Sequence, residues 1–282
     1  MNDKSQVFEK GALDFSAEID YARMNEFIDI IADRYPFLSV TSIGQTVLGK
    51  RIPLISVGRG KKSVIYIGGQ AGGESQSVSV LLRFINELCG FIVNNGRFYN
   101  CSAAYFFATR TIIVVPMLNP DGINFFRYGV ENELPIKQDL IDKECGRGTW
   151  KGNARGINLK QNFGKRFDDI ITLEPESGAL RNYLMFNRDI KLAISLCKGQ
   201  NSIVCTHRGS TPPRLTAIGN TIARSMFCDY FCENGNGTIC DFCSEELVIP
   251  SFEIRSSYSY GSNCFEDYCR QREALFLAPT II

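Results

Sequence analysis

Thr111-Ile112-Ile113-Val114-Val115-Pro116-Met117-Leu118-Asn119-Pro120-Asp121-Gly122 is the stretch that decides how this chain is read. Its first seven residues are largely apolar and rich in β-branched side chains, the composition of a strand buried on both faces of a parallel or mixed sheet. Its last four are a turn by chemistry, because Pro120 presets φ and Gly122 tolerates a positive φ. Ligands in α/β sheets bind outside the carboxyl ends of strands, so a pocket is expected where this strand stops. Taken alone, the same residues are also those of an ordinary strand-ending turn.

The flanking sequence alternates in the same manner. Ile19, Met24, Phe27, Ile28 and Ile31 have helical spacing and predict a helix over 19–34, stopped by Tyr35-Pro36. Strand-like runs at 38–43, 52–57 and 63–67 are punctuated by Gly44, Gly49, Gly58 and Gly60. Val78, Leu81, Leu82, Ile85 and Leu88 place a helix over 75–93. Further helices are expected over 174–187, 214–227 and 265–277, and strands over 190–196 and 248–254. Such alternation implies an α/β fold with helices on both faces of the sheet. No repeat or long linker interrupts it. The expected organisation is an N-terminal extension, 1–14, followed by one domain, 15–282.

The chain has 282 residues, 44% hydrophobic and 22% charged, which excludes a disordered protein. Thirty-one basic residues against 30 acidic ones give a net charge of +1 and argue against a general nucleic-acid partner. No run of 18 consecutive apolar residues occurs, so no membrane partner is expected. Met1-Asn2-Asp3-Lys4-Ser5 leads into Phe8-Glu9-Lys10 without an apolar core, unlike a secretory signal. Eleven cysteines without such a signal predict reduced thiols and a cytoplasmic location. The chain has one histidine, His207, which excludes any site needing two.

Four segments, in order, carry a resemblance. They are Tyr35-Pro36-Phe37-Leu38 with Ser42–Ile52, Ile67-Gly68-Gly69-Gln70-Ala71-Gly72-Gly73-Glu74, Val115–Gly122, and Trp150-Lys151-Gly152-Asn153-Ala154-Arg155-Gly156-Ile157-Asn158-Leu159-Lys160-Gln161-Asn162-Phe163. Glu174-Pro175-Glu176-Ser177, Ile194-Ser195-Leu196 and Pro250-Ser251-Phe252 extend the match. Together they resemble the zinc carboxypeptidases of the M14 family, and within it the bacterial γ-D-glutamyl-diaminopimelate peptidases. The resemblance implies a single-domain α/β/α sandwich around a mixed sheet of roughly eight strands.

The resemblance also implies a zinc held by two histidines and a glutamate, with an open position for water. A second glutamate would be the general base, and an Asn-Arg pair would hold the substrate's terminal carboxylate. In this chain Glu74 matches the carboxylate ligand, but Ala71 and Cys197 stand at the histidine positions. Shifting the first motif by one residue puts Gln70 and Gly73 there instead, so neither register keeps both ligands. Arg255 falls at the general-base position. Glu253, two residues earlier and therefore on the same strand face, is a base only if the register slips. The Asn-Arg pair falls on Lys160-Gln161, and the region of the family's tyrosine, about residues 230–237, has no clear alignment. Losing a general base costs about 10²–10⁴ in rate, and losing the metal removes its activated water as well.

No zinc is therefore expected at the family site. Arg255 is expected to pair with Glu74 and fill the metal's space, since a bare buried carboxylate is costly. Arg155, Lys160, Gln161 and Arg255 are candidate residues for binding an acidic, cell-wall-type peptide. Cys228, Cys232, Cys240 and Cys243 have metal-ligand spacing for a structural zinc or iron–sulfur site, although interleaved aromatics equally suit buried thiols. His207 is read as a loop residue. Three functions remain open: a metal-free peptide-binding pseudopeptidase, an active zinc carboxypeptidase with a rearranged site, and a structural paralogue without a ligand. Oligomeric state is not specified.

Overall fold

Val64, Ile65, Tyr66 and Ile67 are all buried without alternation, as a strand covered on both faces requires. The computed structural model describes residues 13–15, 18–99, 101–129, 148–164, 172–207, 211–257 and 264–282. Residues 1–12 of the expected extension lie outside them. The strands are β1 (Ser39–Gln45), β2 (Arg51–Gly58), β3 (Lys62–Ile67), β4 (Arg97–Phe98), β5 (Cys101–Ser102), β6 (Arg110–Val115), β7 (Ile190–Lys198), β8 (Ser202–Thr206), β9 (Asp229–Glu233) and β10 (Ser251–Ser256). The helices are α1 (Tyr21–Arg34), α2 (Ser75–Val93), α3 (Ala103–Thr109), α4 (Pro120–Tyr128), α5 (Pro175–Phe186), α6 (Pro213–Ser225), the short α7 (Ile239–Asp241) and α8 (Cys264–Leu277).

Eight strands form one mixed sheet in the order β1-β2-β6-β3-β7-β10-β8-β9. The central four, β6, β3, β7 and β10, are mutually parallel, so their carboxyl ends open on one edge of the sheet. Strands β1 and β2 run antiparallel on one flank. On the other, β8 is antiparallel to β10 and β9 parallel to β8. Two apolar clusters cover the two faces. One is built under α1, α2, α6 and α8, and includes Phe27, Phe84, Leu88, Ile222 and Phe276. The other lies under α5 and α7, with Leu180, Leu184, Ile239 and Phe242. The expected α/β/α sandwich is the observed architecture.

Helix α2 is long and apolar enough to cross a membrane by length and composition, yet Val78, Leu81, Leu82, Phe84 and Ile85 are buried in the core. The Asn119–Gly122 turn is corrected in kind. It is the start of α4, with Asn119 as N-cap accepting from the Gly122 N–H at 2.9 Å and Pro120 in the first turn. The final strand begins at Ser251 rather than at 248, because 242–246 winds as a π-turn and Pro250 has no N–H to pair.

Candidate functional site

The loop from β3 to α2 is glycine-rich for steric reasons. Gly69 has φ +56°, and a Cβ there would lie 3.0 Å from Met117 Cα. A Cβ on Gly72 would lie 2.3 Å from the Trp150 carbonyl oxygen. Close approach of these backbones brings Glu74, at the N-cap of α2, to the mouth of the parallel strands. There, a pocket of about 1210 Å³ opens, lined by Ala71, Glu74, Lys160, Gln161, Glu253 and Arg255, among others. Three segments far apart in sequence thus meet at one pocket. Cys197 lies directly beneath, fully buried, paired in register with Arg255 across β7 and β10.

Glu74 is 3% exposed, and its carboxylate accepts three hydrogen bonds. Oε1 accepts from Lys160 Nζ at 3.1 Å and from the Lys198 N–H at 3.1 Å, and Oε2 from the Ala71 N–H at 3.3 Å. Its position at the start of α2 also places it at the positive end of the helix dipole. Burial works against the charged form of Lys160, but the Glu74 and Glu253 carboxylates favour it, and the ammonium is held well above the usual lysine range. Burial pushes the Cys197 thiol up, out of the range where it would ionise at neutral pH. Its sulfur receives Gln70 Nε2 at 3.5 Å.

The expected Arg255–Glu74 pair is not formed. Arg255 instead makes a bidentate pair with Glu233, Nη1–Oε1 2.7 Å and Nη2–Oε2 2.9 Å, and its Nε bonds Glu253 Oε2 at 2.9 Å. The reason is geometric: Glu233, at the end of β9 and one strand beyond β8, comes within reach of the Arg255 side chain, while the turn at Leu159–Gln161 brings Lys160 to Glu74. A planar guanidinium also gains more from a two-point carboxylate than from a single oxygen. Glu233 lines the pocket and was missed by sequence reasoning, since it sits in the stretch without an alignment.

Arg155 is corrected as well. Its side chain is 57% exposed, pairs with Glu174 at 3.2 Å and does not line the pocket. It belongs to a buried scaffold in which Asn153 Nδ2 donates to Glu174 and Glu176, and Lys50 pairs with Asp121 at 3.2 Å. Burial raises the Glu176 carboxyl above its ordinary value. The four clustered cysteines do not converge. Cys240 and Cys243 are buried under one sheet face, whereas Cys228 packs against the opposite cluster and Cys232 is exposed. Among the described residues, no group of three or more His, Cys, Asp or Glu side chains is arranged to hold a metal. His207 follows β8, and its N–H donates to the Glu233 carbonyl at 3.1 Å.

A family model described as zinc carboxypeptidase matches residues 24–226. Gamma-D-glutamyl-L-diamino acid endopeptidase 1 of Lysinibacillus sphaericus is 28% identical over 167 residues, 58% of this chain and 42% of that protein. Carboxypeptidase B of Astacus astacus is 30% identical over 114 residues, 39% of this chain and 35% of that protein. The chain spans less than half the length of the first two curated relatives, 42% and 45%. Among solved structures, thrombin activatable fibrinolysis inhibitor superposes with a TM-score of 0.76, covering 98% of this chain and 78% of that one at 14% identity. The Helicoverpa armigera carboxypeptidase A gives 0.75, covering 96% and 75% at 16% identity. At such identities the structural likeness concerns the fold alone.

Proposed function

The chain belongs to the zinc carboxypeptidase family, and from that premise we propose that it binds an acidic peptide in the family's cleft without hydrolysing it by the zinc route. The observation that carries this reading is the Lys160–Glu74 pair, because Glu74 is the residue that matches the family's carboxylate ligand in sequence. A metal needs deprotonated donors converging on one point. Ala71 offers none, Glu74 Oε1 already accepts two hydrogen bonds, and the Cys197 thiol is kept protonated by burial. These residues do not fit zinc. At the general-base position Arg255 holds two carboxylates and cannot accept a proton.

The cleft itself remains, and its volume suits a small peptide. Its lining includes the cations Lys151, Lys160, Lys198 and Arg255 against the carboxylates Glu74, Glu233 and Glu253, a balance that favours a negatively charged ligand. The Lysinibacillus sphaericus relative is named for γ-D-glutamyl-L-diamino acid bonds, and peptides containing that unit carry free carboxylates. They are the first ligands to try.

The test combines zinc analysis of the purified chain, a peptidase assay with added zinc, and titration calorimetry with a γ-D-glutamyl-L-diamino acid peptide. The expected result is no stoichiometric zinc, no cleavage, and binding at about millimolar Kd or tighter. Stoichiometric zinc with cleavage would restore the carboxypeptidase reading. Absence of heat with millimolar peptide would leave the structural paralogue.

A further inference from the structure

We infer that Cys205 and Cys232 form a reversible dithiol–disulfide site on the edge of the sheet, placed so that its oxidation state is felt by the pocket. Cys205 on β8 and Cys232 on β9 are direct partners in the parallel ladder, so their side chains leave the sheet on the same face. That face is identified independently. Tyr230, two residues before Cys232 and hence on its side of β9, places its hydroxyl 2.9 Å from Cys205 Sγ. Cys232 is close enough to Cys205 to help push its thiol up. Neighbouring strands lie about 4.7–4.9 Å apart, inside the Cα separation a disulfide spans. Among the described residues β9 is the outermost strand of the sheet and pairs with β8 alone, so it can draw in by the small distance that closing the bond requires.

The two sulfurs differ in access. Cys232 is exposed, and Thr211 Oγ1 donates to its sulfur at 2.8 Å. Cys205 is buried, and burial pushes its thiol up to about 12. Oxidation by a low-molecular-weight disulfide therefore starts at Cys232. Its thiolate attacks one sulfur of the small disulfide, the S–S bond breaks, and one small thiol leaves with a proton. The Cys205 sulfur, deprotonated, then attacks the Cys232 sulfur of the mixed disulfide and expels the second small thiol. Two protein thiols are oxidised and one small disulfide is reduced to two thiols. Because the second step needs the Cys205 thiolate, closure is slow at neutral pH and accelerates with rising pH, about tenfold per unit below its pKa.

Period-two alternation links this site to the pocket. Phe231 and Glu233 flank Cys232 and face the opposite way, into the pocket lining, where Glu233 holds Arg255 in its two-point pair. Drawing β9 towards β8 at Cys232 moves the next residue, the one that clamps Arg255. Disulfide formation does not depend on the proposed peptide ligand, so either idea can fail alone.

The experiment is equilibration of the full chain in oxidised and reduced glutathione, acid quenching, and peptide mass analysis. The expected product is a cross-linked peptide joining the Cys205 and Cys232 segments, two hydrogens lighter than the reduced pair and reversed by excess reduced glutathione. Cys232→Ser should abolish it, and Cys205→Ser should leave a stable glutathione adduct on Cys232. Hydrogen exchange of β9 amides should slow in the oxidised form. A wild-type chain that retains a single glutathione on Cys232 at mildly alkaline pH, or that joins Cys232 to any other cysteine, would overturn the assignment.

Discussion

Glu74 has three hydrogen-bond donors and is all but excluded from solvent. Two of the donors are backbone groups, so among the described residues the side chain that balances its charge is Lys160. Replacing Lys160 by Met leaves the carboxylate buried without its cation, a change that typically costs about 3–5 kcal/mol. Urea unfolding of Lys160→Met should show that loss, and the double variant with Glu74→Gln should recover most of it, because an uncharged pair has no ion to strand. A Lys160→Met chain as stable as the parent would mean that the pair is not formed in solution. The positions of Ala71, Cys197 and Arg255 were legible in the sequence because each is counted from a recognisable strand. The partner of Arg255 was not. Glu233 lies 22 residues away on a strand with no motif, and only the pairing of β8 with β9 brings it near.

Element boundaries follow local chemistry where a cap or a proline sets them. Helix α1 starts at Tyr21 because Asp20 accepts the Arg23 N–H at 2.8 Å. Asp20→Ala should cost about 1 kcal/mol, the usual worth of an N-cap. Burial alone would raise the Asp20 carboxyl, but the Tyr128 hydroxyl, the Arg23 and Ala22 amides and Arg127 outweigh it, and the net shift is downward from 3.8. A lowered carboxyl stabilises above its unfolded value and loses that contribution as pH falls through the folded one. The gap between parent and Asp20→Ala should therefore shrink as urea midpoints are followed from neutral pH to below 3.8. A gap independent of pH would contradict the assignment of charge to the cap. The same chemistry explains why the turn at Asn119 was misread: Asn followed by Pro is both a turn signal and a helix start, and the choice depends on what the next turn packs against. Strand β9 went unread because it is an exposed edge strand with little alternation to detect.

At the scale of the molecule, two buried faces divide the cysteines. Cys89, Cys197, Cys240 and Cys243 are buried, and burial pushes Cys89 and Cys243 up to about 12. A thiol reagent at mildly alkaline pH should label Cys232 and Cys269 in the folded chain and reach these four only on unfolding. Rapid labelling of Cys240 or Cys243 would place them in a more open environment. The sandwich itself was legible because buried parallel strands, glycine-rich loops and their order leave strong local marks. Charge pairing within the pocket is not written locally, since Lys160, Glu74, Glu253, Arg255 and Glu233 meet only after the sheet has assembled.

The central claim is that an ion pair fills the place of the family's metal. Crystals of the full chain grown with excess zinc, with anomalous scattering recorded at the zinc edge, test it most directly. The account predicts Lys160 Nζ still bonded to Glu74 Oε1, close to 3.1 Å, with no anomalous peak between Glu74 and Cys197. A zinc peak there, with Lys160 swung away and Cys197 bound as thiolate, would contradict it.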